Sequence, residues 1–538
     1  MSTTLMVVLG AILLFIGYVF YGKYLAEQVL AIDPEAKTPA ETMYDGVDYV
    51  PTQAPVLLGH HFASIAGAGP ITGPIAAAVF GWVPVFLWVV IGSIFFGGVH
   101  DYAALVASAR HEGKSIGEVV RVHIGERGQF FFLCFSYLTL VLVVAVFTIL
   151  VVNTFVAVPA VATTSLLFMV LAAIFGLAIH RYKVPLGLGT VVGVILLFLC
   201  VWLGVQFPIY ASATFWTYFC LFYIFIASVL PVWILLQPRD YLNSFLLYAS
   251  LFGALIGLII GNPTLEFPAF VAWKTGAGYL FPMLFVTVAC GAISGFHSLV
   301  SSGTTSKQLA NEKDAKVIGY GGMLIEGLLA LVALATVAYL SKDGYDTALV
   351  EMGGPTGVFS AGVGQFMSHF GIPVAFGTTF GALAVNAFCL TSLDTATRLG
   401  RYAWEEFFST RAPGLADKYI GTLVTVILAG ALAISGNWAA IWPIFGSANQ
   451  LLAALALLTA TVWLTSLNRD RRPTMYPMFF MFAATLTALV FLIRDNLSTG
   501  NFVLGVPGVL LFVLAIFLVV ESNNVLKRMK EEKPSIGA

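Results

Sequence analysis

The stretch GHHFASIAGAGPITGP, from Gly59 to Pro74, sits inside an apolar run long enough to cross a bilayer, yet it cannot remain one continuous helix. Gly67, Gly69, Pro70, Gly73 and Pro74 fall within eight residues. Proline removes amide donors and clashes with the preceding turn, and glycine lets the backbone leave helical dihedrals. Unwound backbone at membrane depth is stable only where it lines a cavity or a ligand. Carbonyls ending the first half-helix suit a cation, and amides opening the second suit a carboxylate. The competing reading is a kinked packing helix whose small residues allow close approach.

Composition supports the membrane setting of this stretch. Of 538 residues, 59% are hydrophobic and 10% charged, too few polar groups to coat a water-soluble globule of this size. The formal net charge of -1 gives no basis for a nucleic-acid partner. Cys134, Cys200, Cys220, Cys290 and Cys389 lie in apolar runs without CxxC pairing, so neither a disulfide framework nor a metal site is expected. The first apolar run lacks a basic leader and a small-residue cleavage site, and reads as a retained span.

A window of about 20 apolar residues per crossing predicts an all-α polytopic membrane protein of about fifteen spans. They lie near 3–22, 55–79, 82–109, 129–152, 163–181, 185–206, 214–236, 241–261, 279–305, 317–340, 364–393, 417–435, 438–466, 474–494 and 502–522. With the N-terminus outside and the C-terminus cytoplasmic, 23 of the 26 Lys and Arg, Arg239 and Lys533 among them, fall on the cytoplasmic side. Only Lys274, Lys342 and Arg494 remain outside. Ser115 with Glu118 forms a capping box, and Ile116, Val119, Val120 and Ile124 share one face of a short interfacial helix.

Two motifs recur. Gly59-His60-His61 with Gly67 is echoed 236 residues on by Gly295-Phe296-His297 with Gly303, and Val152-Asn153-Thr154-Phe155 by Val385-Asn386-Ala387-Phe388. The second and ninth spans are seven apart, an odd offset that implies inverted repeats with discontinuous helices. In the second copy, Ser301, Ser302, Thr304 and their neighbours through Ser306 predict a hydroxyl-rich interruption, the alternative being a plain helix end. In CLTSLDTATRLGRY, the oxygens of Thr391, Ser392, Asp394 and Thr395 at the inner end of the eleventh span suit a sodium ion or a titrating carboxylate. The rival reading pairs Asp394 with Arg398 at i,i+4.

Ionisable residues inside spans are functional candidates by default. Here they are His60, His61, His100, Asp101, His297 and Glu326. His100-Asp101 is a proton-site candidate, although neighbours on a helix point about 100° apart.

These segments, with GGVHDYAALVASARHEGKSIGE and LDTATRLGRY, resemble the carbon starvation protein A family from the first span to about residue 470. The chain looks like a shorter member. The resemblance implies a plasma-membrane carrier with an amino acid–polyamine–organocation (LeuT-like) core of two inverted five-helix repeats. Its discontinuous helices would be the second and ninth spans, with a sodium site on the eleventh in sodium-coupled relatives. An offset of seven requires an inserted pair at the seventh and eighth spans or a seven-plus-seven repeat. With an inserted pair the chain divides into an N-terminal span and loop (1–54), a first repeat (55–206), the pair (207–278), a second repeat (279–466) and C-terminal spans (467–538).

Family members take up pyruvate with protons, or peptides when carbon is short. The expected function is therefore cation-coupled uptake, not enzymatic, of a small organic anion or short peptide from across the bilayer. Its only cofactor would be a coupling proton or sodium ion. A sodium-coupled carrier of another organic acid or amino acid is the alternative, and a channel the more distant one; the oligomeric state is not encoded. Expected substrate contacts are His60, His61, Ser64, Gly67, Gly69, Thr72, His297, Ser301, Ser302 and Thr304. Expected coupling residues are His100, Asp101, Thr391, Ser392, Asp394 and Thr395.

Overall fold

The computed structural model describes residues 2–531 except 47, 232, 410, 436 and 437; Lys533 lies outside the described residues. A first long helix, α1 (Thr3–Val29), is followed by the broken pair α2 (Ala54–Ile65) and α3 (Gly69–Phe80), bent by 45°. Next come α4 (Trp82–Ala109), the short α5 (Ile116–His123), α6 (Glu126–Ala157), α7 (Pro159–His180) and α8 (Leu186–Gln206). They lead to α9 (Ala213–Val229) and α10 (Leu236–Gly261). A second broken pair follows, α11 (Leu280–Val288) and α12 (Gly295–Val300, with a wide turn over Ser301–Thr305). After it come α13 (Glu312–Ala338), two short helices α14 (Lys342–Glu351) and α15 (Pro355–Ser368), and α16 (Val374–Ser409). The chain closes with α17 (Lys418–Ser435), α18 (Trp438–Ser466), α19 (Arg472–Ser498) and α20 (Phe502–Glu531).

Among the described residues, twelve helices are long and apolar enough to cross a membrane, and the bent α2–α3 pair makes a thirteenth span. The shorter apolar α9 and α17 stand at the two remaining expected positions. One boundary moves substantially. The span expected from 364 begins at Val374, because residues 355–368 form the separate α15.

Both breaks are visible in the backbone. α2 stops at Ile65, and Pro70 opens α3, where its missing amide costs no hydrogen bond. The second break is at Ala289–Ser294, where Ala289 has φ +45° and Ser294 is extended. The interruption expected at Ser301–Ser306 is not there. Ser302 and Thr304 return their hydroxyls to the carbonyls of Ser298 and Val300 one turn back, at 2.7 and 3.0 Å, within the wide turn over Ser301–Thr305 where the helix ends, which is the alternative reading. The motif echo is therefore not a structural equivalence: Gly59 precedes its break, whereas Gly295 follows its own.

Packing also departs from the expected boundaries. The helices of 207–278 are not an outlying pair, since α9 packs on α6, α16 and α17, and α10 on α2, α15 and α16. Instead α7 and α8 pack chiefly on each other and on α10, with Leu188, Val191, Ile195 and Trp202 exposed on α8. Two arrangements mirror each other: α10 lies on α15, and α18 lies on α5. Ser115 caps α5, its hydroxyl accepting from the Glu118 amide at 3.3 Å, while the Glu118 carboxylate turns to Arg121 and so does not complete the expected capping box. Ile116, Val119 and Val120 are buried beneath it.

Candidate functional site

The two breaks meet. A Cβ on Gly69 would lie 2.5 Å from the Cys290 sulfur, and one on Gly73 would lie 2.2 Å from the Val288 carbonyl oxygen. On the other side, Gly67 lies against the Phe147 ring and the Ser392 hydroxyl. Gly73 thus lets backbone approach backbone, while Gly67 and Gly69 let neighbouring side chains pack directly onto the chain. Thr72 returns its hydroxyl to Ala68 at 2.8 Å.

Beside this junction lies a fully buried histidine–carboxylate cluster from α2, α4, α12 and α13. Asp101 receives His100 Nδ1 at 2.7 Å and His297 Nδ1 at 2.8 Å, one on each oxygen. The adjacent His100 and Asp101 therefore do touch. His297 Nε2 is 3.3 Å from Glu326 Oε2. His61 Nδ1 meets the Thr305 hydroxyl at 2.9 Å, and its ring lies against Gly322, one turn before Glu326. The Nε2 atoms of His61, His100 and His297 and both oxygens of Glu326 have no hydrogen-bond partner. The Ser301 hydroxyl is likewise buried and unpartnered.

A second polar cluster joins α2, α9, α10 and α16. The Arg239 guanidinium pairs with Asp240 at 2.8 Å and with Asp394, and donates to the Tyr223 hydroxyl at 2.6 Å. Tyr223 donates to Asp394 at 2.7 Å, and Thr391 donates to Asp240 at 2.9 Å. His60 Nδ1 lies 3.0 Å from the other Asp240 oxygen. One oxygen of Asp394 is left without a partner.

Two readings from the sequence change here. Arg239, counted among the cytoplasmic charges, has a side chain only 2% exposed. Asp394 does not pair with Arg398, which instead donates to the carbonyls of Ala227 and Leu230 at the end of α9.

The four oxygen-bearing residues of α16 lie in mid-helix rather than at its inner end, and they divide between two faces. Thr391 and Asp394 join the Arg239 cluster. Ser392 donates to the Ser64 carbonyl at 3.0 Å, and Thr395 approaches the Ser64 hydroxyl at 3.4 Å, both next to the first break. Arg239 and Asp240 were missed because a Gln-Pro-Arg-Asp sequence at a span boundary looks like an ordinary wet helix start, and Tyr223 because one tyrosine in an apolar run gives no signal of its own.

Cavities flank the junction near opposite ends of α6. One of about 630 Å³ is lined by Thr72, Asn153, Thr154, Glu351, Ser360 and Thr378. The other, about 420 Å³, is lined by Lys114, Glu118, Ser136, Ser302, Lys307 and Glu406.

Two broken helices crossing at a closed centre, with long helices around them, define the LeuT-type fold of polytopic secondary transporters. Solved structures of a manganese transporter from Eremococcus coleocola share it, at a TM-score of 0.53 and 13% identity over 88% of this chain and 95% of that one. The sequence profile of the carbon starvation protein CstA family matches residues 2–348 and 344–488, and the chain belongs to that family. It is 34% identical to the peptide transporter CstA of Escherichia coli K12, over 90% of this chain and 80% of that protein. It is 32% identical to the pyruvate/proton symporter BtsT of the same organism, over 88% and 79%. Over nearly full length it is 30% identical to the peptide transporter CstA of Bacillus subtilis, covering 97% and 96%.

Proposed function

We propose that the protein is a proton-coupled carrier that takes up a short peptide or a small organic anion of the pyruvate class across the plasma membrane. Its N-terminus faces outside and its C-terminus the cytoplasm. The observation that carries this reading is the junction of two broken helices, closed at the centre, with one cavity toward each end of α6. A channel needs no such closed centre; a carrier exposes it to one side at a time. The names borne by the relatives, peptide transporter and pyruvate/proton symporter, agree with it.

The mirrored packing supports two five-helix repeats. The first is α2–α3, α4, α6, α9 and α10; the second is α11–α12, α13, α16, α17 and α18. The inserted pair is then α7–α8, at 159–206. We place the coupling proton in the Arg239 cluster. Two carboxylates face one guanidinium there, and a proton on His60 or on a carboxylate balances the remaining charge away from water. Sodium coupling is the second reading, favoured by the Ser64, Ser392 and Thr395 oxygens at the first break.

The test is uptake of labelled pyruvate and of a dipeptide into proteoliposomes under separately imposed proton and sodium gradients. Accumulation driven by the proton gradient is expected. Failure of both gradients to drive either solute rejects the reading.

A further inference from the structure

Among the described residues, one group of cysteine, histidine and carboxylate side chains converges closely enough to hold a single ion. The donor atoms of Cys290, His297 and Glu326 lie within 4.8 Å of one another, and all three residues are buried. No motif announces them, because they come from the second break, from α12 and from α13.

The orientation of His297 carries the argument. With Asp101 accepting from Nδ1 at 2.8 Å, the proton of that ring sits on Nδ1, and the Nε2 lone pair points at Glu326 Oε2, 3.3 Å away. The buried Glu326 carboxylate has no hydrogen-bond partner of its own, and a positive charge between it and the imidazole nitrogen would satisfy both. A carboxylate holding one nitrogen while the other faces the ion is how proteins set an imidazole for metal ligation.

Cys290 supplies the third atom. Its thiol donates to the Ser294 hydroxyl at 3.3 Å, and the Asn449 amide nitrogen is 3.5 Å from the sulfur. Once the thiol proton is released, both groups can donate to the thiolate. Gly69 packs directly against the sulfur, and any side chain there would collide with it. Thiolate, carboxylate, neutral imidazole and a divalent ion sum to zero charge, the least costly state away from water. Sulfur, nitrogen and oxygen ligands in this number suit a four-coordinate thiophilic metal with one position open.

We propose that Cys290, His297 and Glu326 form a site for a thiophilic divalent cation of the zinc class, with Asp101 as its positioning residue. The bound ion pins the second break to α13. Only the route of entry, through opening of the centre, rests on the carrier reading.

The test needs no transport. Cobalt chloride is titrated into the purified, detergent-solubilised full chain. A thiolate-to-cobalt charge-transfer band, together with the visible bands of four-coordinate cobalt, is expected. Cys290→Ser should abolish the charge-transfer band, and Asp101→Asn should weaken binding about 10–100-fold while keeping the band. No band in the unaltered protein, the outcome if a proton alone fills the gap, overturns the proposal. So does a band that survives Cys290→Ser. If that variant does not fold, X-ray absorption of the zinc-loaded unaltered protein decides. One sulfur at about 2.3 Å with nitrogen or oxygen at about 2.0–2.2 Å supports the site, and a shell without sulfur overturns it.

Discussion

Arg239 of α10 and Asp394 of α16, 155 residues apart in sequence, form an ion pair with almost no solvent access, and Asp240 holds the other edge of the same guanidinium. Removing one partner of a buried pair leaves uncompensated charge, which costs about 3–5 kcal/mol. Arg239→Gln should therefore destabilise strongly. Adding Asp394→Asn should restore part of the loss, because neighbours in one network are not additive. Unfolding of the single and double variants in detergent measures both effects; strict additivity would mean the pair is energetically idle.

Asp394→Asn alone keeps the shape of the cluster but removes a titrating group. Proton-driven accumulation in proteoliposomes should fall at least about tenfold, while exchange of labelled for unlabelled solute without a gradient persists. Unchanged accumulation would place the proton elsewhere.

Close approach at the junction can be tested by adding single methyl groups. Gly73→Ala should be worse than Gly69→Ala, since its methyl would meet the Val288 carbonyl, fixed backbone, whereas at Gly69 it meets the Cys290 side chain. Overpacking of this kind costs about 1–3 kcal/mol. Melting temperatures and uptake rates of the two variants check the order.

Asn449 caps the start of α12, with its side-chain oxygen accepting from the Phe296 amide at 2.8 Å. Asn449→Leu leaves that amide buried and unpaired, a loss of about 1–3 kcal/mol. Faster hydrogen exchange at residues 295–300 than elsewhere in the variant is the expected signature.

A pH dependence is expected at α5, outside the spans. His111 donates from Nδ1 to the Ala107 carbonyl, so its Nε2 accepts from His123 Nε2 at 3.0 Å. Burial, and then the neighbouring His111, push the His123 ring down to about 4. The unfolded chain binds that proton near pH 6.5. The stabilising contribution is thus complete above about 6.5 and is lost as pH falls toward about 4. Exchange at 111–124, corrected for intrinsic rates, should quicken between about pH 7 and about pH 5, and His123→Asn should flatten the response.

How much of this was legible depended on the signal each element leaves. Gly67, Gly69 and Pro70 announce the first break because proline and glycine act on the backbone itself. The second break, Ala289-Cys290-Gly291-Ala292-Ile293-Ser294, reads as small apolar residues. What holds it open is outside help: Asn449 from α18, and the close fit of α3. The hydroxyl run at Ser301–Thr305 suggested a break, but Ser302 and Thr304 bond back to their own helix and Thr305 meets His61. His297 and Asp101 were found from their cost in a bilayer. Their partnership, and the burial of Arg239, depend on helices that meet only in three dimensions.

The Ser302 hydroxyl on α12 accepts from the Ile116 amide at 3.1 Å, and Ser306 accepts from Ser108 at 2.8 Å. Any tilt of α12 is therefore mechanically transmitted to the short α5 and its neighbouring loop. A fluorophore attached to the exposed Arg121 side of α5 would act as a remote dial, reporting the posture of the central helix.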